Sequence, residues 1–266
     1  MDKAFDVRKQ TGFTTIAMAC FAMLYMPIIL LVIYSFNAGT SIAIWEGFSW
    51  RWYASAWDNE QVQEATIRSL IIAFWAALIS TSVAVMAALA TTRTRKFRGQ
   101  TTVFAMINQP LMVPEIVTAV ALLIFFAMIK VATGYTGLLY LIIAHSAFCI
   151  PFAYLPIRAR LQGMDLSLEQ AAADLYATPF QIFRRITLPQ LWPGILAGAM
   201  LAFVISLDDV VITEFVKSAG QDTLPTYMLG QLRRVVTPEI NAISTALLGI
   251  SITMVVAFTL LSKIKT

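Results

Sequence analysis

Six stretches of this chain are long, apolar and almost free of charge: residues 13–36, 69–89, 103–129, 135–157, 191–213 and 241–261. Each is long enough to cross about 30 Å of hydrocarbon as a helix. None shows the strict alternation of a barrel strand. A helix satisfies its own backbone N–H and C=O groups in lipid, so the pattern predicts an all-α integral membrane fold with six transmembrane helices. Composition agrees, with 59% of the 266 residues hydrophobic and 13% charged. A soluble domain carries roughly 25% charged residues, so a disordered chain and an ordinary cytosolic enzyme are excluded. The first stretch has no clear small-x-small cleavage site and reads as a retained helix.

The basic residues orient the bundle. With the N-terminus inside, thirteen of the nineteen face the cytoplasm: Lys3, Arg8, Lys9, Arg93, Arg95, Lys96, Arg98, Arg158, Arg160, Arg184, Arg185, Lys263 and Lys265. The six on the outer side are Arg51, Arg68, Lys130, Lys217, Arg233 and Arg234. Both termini are then cytoplasmic. The net charge of +4 is an address for the inner face, and no nucleic-acid partner is expected. Cys20 and Cys149 each sit in an apolar run and make neither a disulfide framework nor a metal site.

Three connections exceed what a simple join needs. The outer loop 37–68 holds Trp45, Trp50, Trp52 and Trp57, four of the six tryptophans. It reads either as an aromatic belt at the headgroups or as a surface for an external partner. The outer segment 214–239 mixes charges with Gly220, Pro225, Gly230 and Pro238, and either lines a mouth or re-enters the bundle. The inner loop 158–190 carries two helix starts. Ser167 and Gln170 form one capping box, and Thr178, Pro179 and Gln181 form the second. Pro189 and Pro193 are expected to stop the second helix and open the fifth span. Two short helices with an apolar face read as a docking knob, or as a pair packed on their own bundle.

The loop resembles the signature of the permease subunits of bacterial ABC importers, in which E-A-A is followed by glycine and then I-x-L-P. The carrying residues are Glu169-Gln170-Ala171-Ala172-Ala173-Asp174-Leu175, Ala177-Thr178-Pro179 and Ile186-Thr187-Leu188-Pro189. Tyr176 stands where the family has glycine. A left-handed backbone there would cost a bulky residue about 1 kcal/mol, so the turn either avoids that conformation or is shaped differently. The resemblance extends over nearly the whole chain and narrows to the spermidine/putrescine branch, through Tyr34-Ser35-Phe36-Asn37, Pro114-Glu115-Ile116-Val117, Ala144-His145-Ser146 and Ser206-Leu207-Asp208-Asp209.

The resemblance implies an ABC importer type I permease fold in the inner membrane, a single transmembrane domain over 1–266 with 158–190 as its coupling loop. It implies a non-catalytic subunit without a cofactor, working with a cytoplasmic ATPase dimer, a second homologous permease and a periplasmic substrate-binding protein. The coupling residues would be Glu169, Ala171, Ala172, Asp174, Leu175, Tyr176, Ala177, Thr178, Pro179 and Phe180. The chain has no G-x-x-x-x-G-K-[ST] phosphate loop, so ATP chemistry falls to a partner. The alternatives are a permease for another small solute, such as ferric ion, thiamine or an opine, and a secondary transporter. The latter would need no docking loop, and no inverted repeat is evident.

Ionisable residues inside spans are costly and usually functional. Glu115, preceded by Pro110 and Pro114, falls near mid-membrane in the third stretch, and Asp208-Asp209 fall in the outer third of the fifth. Adjacent helical residues point about 100° apart, so one aspartate is expected to line the path while the other caps a neighbour or faces water. Three acids at depth suit a polyamine. His145, the one histidine, reads as a hydrogen-bonded packing residue, and Lys130 as one whose ammonium reaches the surface.

Overall fold

The computed structural model describes residues 11–42, 44–94, 97–234 and 237–264. Lys3, Arg8, Lys9, Arg95, Lys96 and Lys265, six of the orienting residues, lie outside these. In chain order the helices are α1 (Thr11–Tyr34), α2 (Arg51–Asp58), α3 (Glu60–Thr92), α4 (Gln100–Met112), α5 (Glu115–Thr133), α6 (Leu139–Gln162), α7 (Ser167–Asp174), α8 (Pro179–Ile182), α9 (Leu188–Asp208), α10 (Val211–Val216), α11 (Leu224–Leu232) and α12 (Pro238–Ile264). A π-helical turn, Phe183–Thr187, joins α8 to α9. Among the described residues six helices are long and apolar enough to span a membrane, at Gly12–Tyr34, Glu60–Thr92, Glu115–Thr133, Leu139–Gln162, Pro179–Asp208 and Pro238–Ala257.

The chain divides into two compact units, Met1–Asn59 with Gln231–Gly249, and Glu60–Gly230 with Ile250–Thr266. In the first, Asn37 organises the outer loop from a fully buried position. Its Nδ2 donates to the carbonyls of Ser41 (2.9 Å) and Ile44 (2.7 Å), and its Oδ1 accepts from the Glu46 N–H at 2.8 Å. The buried Trp52 indole donates to the Gly39 carbonyl at 3.1 Å. Phe36, Phe48, Trp50 and Tyr53 form a cluster of rings beside it.

The second unit is built on α3, α6 and α9, packed closely because their facing residues are small. Ala65, Ser69, Ala73, Ala76, Ser80, Ala84 and Ala88 line the buried side of α3 at helical spacing. On α9, a Cβ at Gly198 would come within 2.7 Å of the Ala153 carbonyl, so only glycine permits this approach to α6. Cys149 Sγ donates to the Ala202 carbonyl at 3.5 Å across the same contact.

Three expectations are corrected. The stretch 103–129 is two helices. Proline restricts the residue before it to extended backbone, and Val113 before Pro114 has φ −94°, ψ 138°, so Glu115 opens α5 rather than sitting inside a continuous helix. Pro189 and Pro193 do not stop a helix. The π turn moves the bonding register, with the Leu188 N–H on the Phe183 carbonyl, and α8 runs on into α9. Lys130 does not reach for the surface. Its Nζ donates to the Val216 carbonyl (3.2 Å) and Ser218 Oγ (3.0 Å), and lies 5.5 Å from the Tyr140 ring centre.

The segment after α10 folds onto its own unit. Arg68 Nη1 donates to the Asp222 carbonyl at 2.7 Å, and the Leu224 N–H to Ser69 Oγ at 2.8 Å. Lys217 bridges Glu214 (2.6 Å) and Asp222 (2.7 Å). Burial alone would lower the Lys217 pKa, but the two carboxylates outweigh it and hold the ammonium above its ordinary value.

Candidate functional site

The three acids of the sequence argument converge. Glu115, Asp208 and Asp209 line one cavity of about 420 Å³ in the second unit, walled by Phe148 and Phe152 of α6 and by Val204 and Ile205 of α9. Two helix interruptions place them there. The Pro114 break puts Glu115 at the N-terminus of α5. Helix α9 ends at Asp208, and Asp209 adopts an extended backbone (φ −66°, ψ 132°) before α10 begins.

The two aspartates differ in role. Asp209 is buried, and its Oδ1 accepts from the Ile212 N–H at 3.3 Å. Its Oδ2 accepts from the Thr213 N–H (2.9 Å) and the Thr213 hydroxyl (3.0 Å). It therefore caps α10, where free amides favour a carboxylate. Asp208 makes no such bond and is exposed toward the cavity.

His145 of α6 is buried beside this site. Its Nδ1 lies 2.8 Å from Ser206 Oγ of α9, and its Nε2 lies 2.9 Å from Thr213 Oγ1 of α10 and 3.4 Å from Asp209 Oδ2. The partnership of Ser206 and Thr213 with His145 has no signal in the sequence, where Ser206 stands only within the Ser206–Asp209 segment. The spacing from Asp209 to Thr213 signals a helix cap, but only once a helix start is assumed there.

The inner loop has its own geometry. Thr178 and Gln181 form the expected capping box, with the Thr178 N–H on Gln181 Oε1 at 2.9 Å and the Gln181 N–H on Thr178 Oγ1 at 3.3 Å. The Ser167 box does not form. Asp165, two residues earlier, takes the Ser167 N–H (2.9 Å) and hydroxyl (2.6 Å) instead. These bonds hold the Asp165 carboxyl below its ordinary pKa, the side-chain bond first. Tyr176 takes up the left-handed conformation, φ 59°. The turn is a Schellman motif, with the Ala177 N–H on the Ala172 carbonyl (3.0 Å) and the Tyr176 N–H on the Ala173 carbonyl (2.9 Å). Tyr176 is 95% exposed, Leu175 82% and Phe180 68%. Ala171, Asp174, Thr178 and Pro179 are also exposed, while Ala172 and Ala177 are half-buried. Glu169 faces inward. It accepts from the Thr187 hydroxyl at 3.0 Å and lies 3.3 Å from the Arg93 guanidinium at the end of α3.

The family model described as "Binding-protein-dependent transport system inner membrane component" matches residues 80–264. The putrescine transport system permease protein PotI of Escherichia coli (strain K12) is 40% identical over 232 residues, covering 86% of this chain and 83% of that one. The spermidine/putrescine transport system permease protein PotC of Haemophilus influenzae is 40% identical over 243 residues, 91% of this chain and 93% of that one. Among solved structures, a chain of a bacterial ABC transporter that imports the acidic polysaccharide alginate has a TM-score of 0.74 at 16% identity, covering 95% of this chain and 94% of that one. A chain of the inward-facing MetNI methionine ABC transporter has a TM-score of 0.64 at 18% identity, covering 78% of this chain and 99% of that one. Those likenesses confirm the fold, with six spanning helices and no strand among the described residues. The chain belongs to the family of inner-membrane components of binding-protein-dependent transport systems.

Proposed function

We propose that this chain is one permease subunit of an ATP-driven importer that carries polyamines into the cytoplasm. It pairs with a second permease, receives solute from a periplasmic binding protein and is driven by a separate ATPase dimer. The observation that carries the solute class is the cavity that Glu115, Asp208 and Asp209 line together with the rings of Phe148 and Phe152. A polyamine alternates ammonium groups with methylenes. Carboxylates neutralise the first, and aromatic walls receive the second and attract the charge. The names of the relatives quoted above support the same class.

Residues 158–190 are the coupling element within a single transmembrane domain. The apolar tip of Leu175, Tyr176 and Phe180 is the contact for the ATPase. A non-glycine residue in left-handed backbone costs roughly 1–2 kcal/mol. Such strain fits a side chain held out for a partner. Pro179–Asp208 then forms one helical path of 30 residues. At 1.5 Å per residue that is about 45 Å from the tip to the cavity. A push at the tip moves Asp208, at the far end of this path, as part of a rigid body.

The test is ATP hydrolysis by the reconstituted complex, stimulated by binding protein loaded with each of several solutes. Polyamines should stimulate, and Glu115→Gln or Asp208→Asn should reduce polyamine uptake by roughly tenfold or more. Equal stimulation and uptake in wild type and both variants would remove these acids from the path.

A further inference from the structure

His145 joins three helices at the break that exposes Asp208, and its bonds run in one direction. The Thr213 hydroxyl hydrogen is committed to Asp209 Oδ2 at 3.0 Å. Thr213 Oγ1, 2.9 Å from His145 Nε2, must therefore accept, and Nε2 carries the hydrogen. A neutral imidazole then leaves Nδ1 as an acceptor, which Ser206 Oγ fills as donor at 2.8 Å. The chain Ser206, His145, Thr213, Asp209 thus leaves α9, crosses α6, and returns through α10 to the carboxylate that caps it. Every member is buried. Such a network fixes geometry, because each bond is formed away from competing water.

We propose that His145, as the neutral tautomer protonated at Nε2, is a positioning residue for solute selection. It holds both sides of the α9–α10 break, and so fixes where Asp208 stands and with it the Asp208 end of the span to Glu115 across the cavity. The solute class is that of the reading above, and the inference rests on it: amines whose charges are spaced along a chain are sorted by the distance between the two acids. The bonded Asp209 supplies the cap and background negative charge. The titratable and charged groups that line this cavity are Glu115, Asp208 and Asp209.

Two measurements test this. The complete complex in proteoliposomes, with saturating binding protein, is assayed for maximal uptake of a diamine and of a triamine. His145→Ala, Thr213→Val and Ser206→Ala should each shift the diamine-to-triamine ratio by about fivefold, the weight of one buried hydrogen bond. Thr213→Ser should restore the wild-type ratio. A purely structural role would lower both uptakes together, and an unchanged ratio in all three variants overturns the proposal. Wild type that carries neither amine would instead defeat the polyamine reading. The second measurement does not depend on solute. This chain has one histidine. The difference between imidazole-¹⁵N spectra of the wild-type and His145→Gln complexes therefore isolates it. A neutral Nε2–H signal is expected, and it should shift in Thr213→Val. An imidazolium or Nδ1–H signal overturns the arrangement.

Discussion

Tyr176 shows what one side chain costs. Its backbone lies at φ 59°, and its side chain is almost fully in solvent, so no internal contact offsets the strain. Glycine would relax the turn, and Tyr176→Gly should stabilise it by about 1 kcal/mol. Amide hydrogen exchange is the check. Protection of the Ala177 N–H, which closes the Schellman bond, should rise by roughly fivefold. Unchanged or lower protection would show that Tyr176 is not strained. The same scale explains why Asp208 and Asp209 were legible as one lining and one capping acid, but not which of the two takes which role. In sequence they are two adjacent acids in an apolar run. Only the free amides of α10 distinguish them, and those exist only once the helix has broken.

At the scale of elements, the spans were legible because about 20 apolar residues admit few alternatives in lipid. Their interruptions were less so. The Pro114 break could be anticipated, since proline fixes both its own backbone and that of Val113. The passage through Pro189 and Pro193 could not, because a π turn has no composition of its own. Nor could the switch from Ser167 to Asp165, where the nearer acceptor took the amide. Arg93 and Glu169 meet for a similar reason, being 76 positions apart in the chain yet 3.3 Å apart in the fold. That ion pair ties α7 to α3, while Thr187 ties it to the root of α9. Glu169→Gln should therefore lower the number of solute molecules moved per ATP hydrolysed by roughly two- to fivefold, the weight of a partly buried ion pair. Uptake and hydrolysis measured on one preparation give that ratio. An unchanged ratio would reduce Glu169 to an ordinary surface acid.

At the scale of the whole molecule, the helical path Pro179–Asp208 runs from an exposed apolar tip to an acidic cavity. The proposed function assigns the tip to a motor and the cavity to a delivered cation, so neither would suffice alone. The most direct measurement is accumulation of radiolabelled polyamine in proteoliposomes, with components withheld in turn. Uptake is expected only when the second permease, the ATPase, ATP and the loaded binding protein are all present. Uptake by this chain with the ATPase omitted would contradict this.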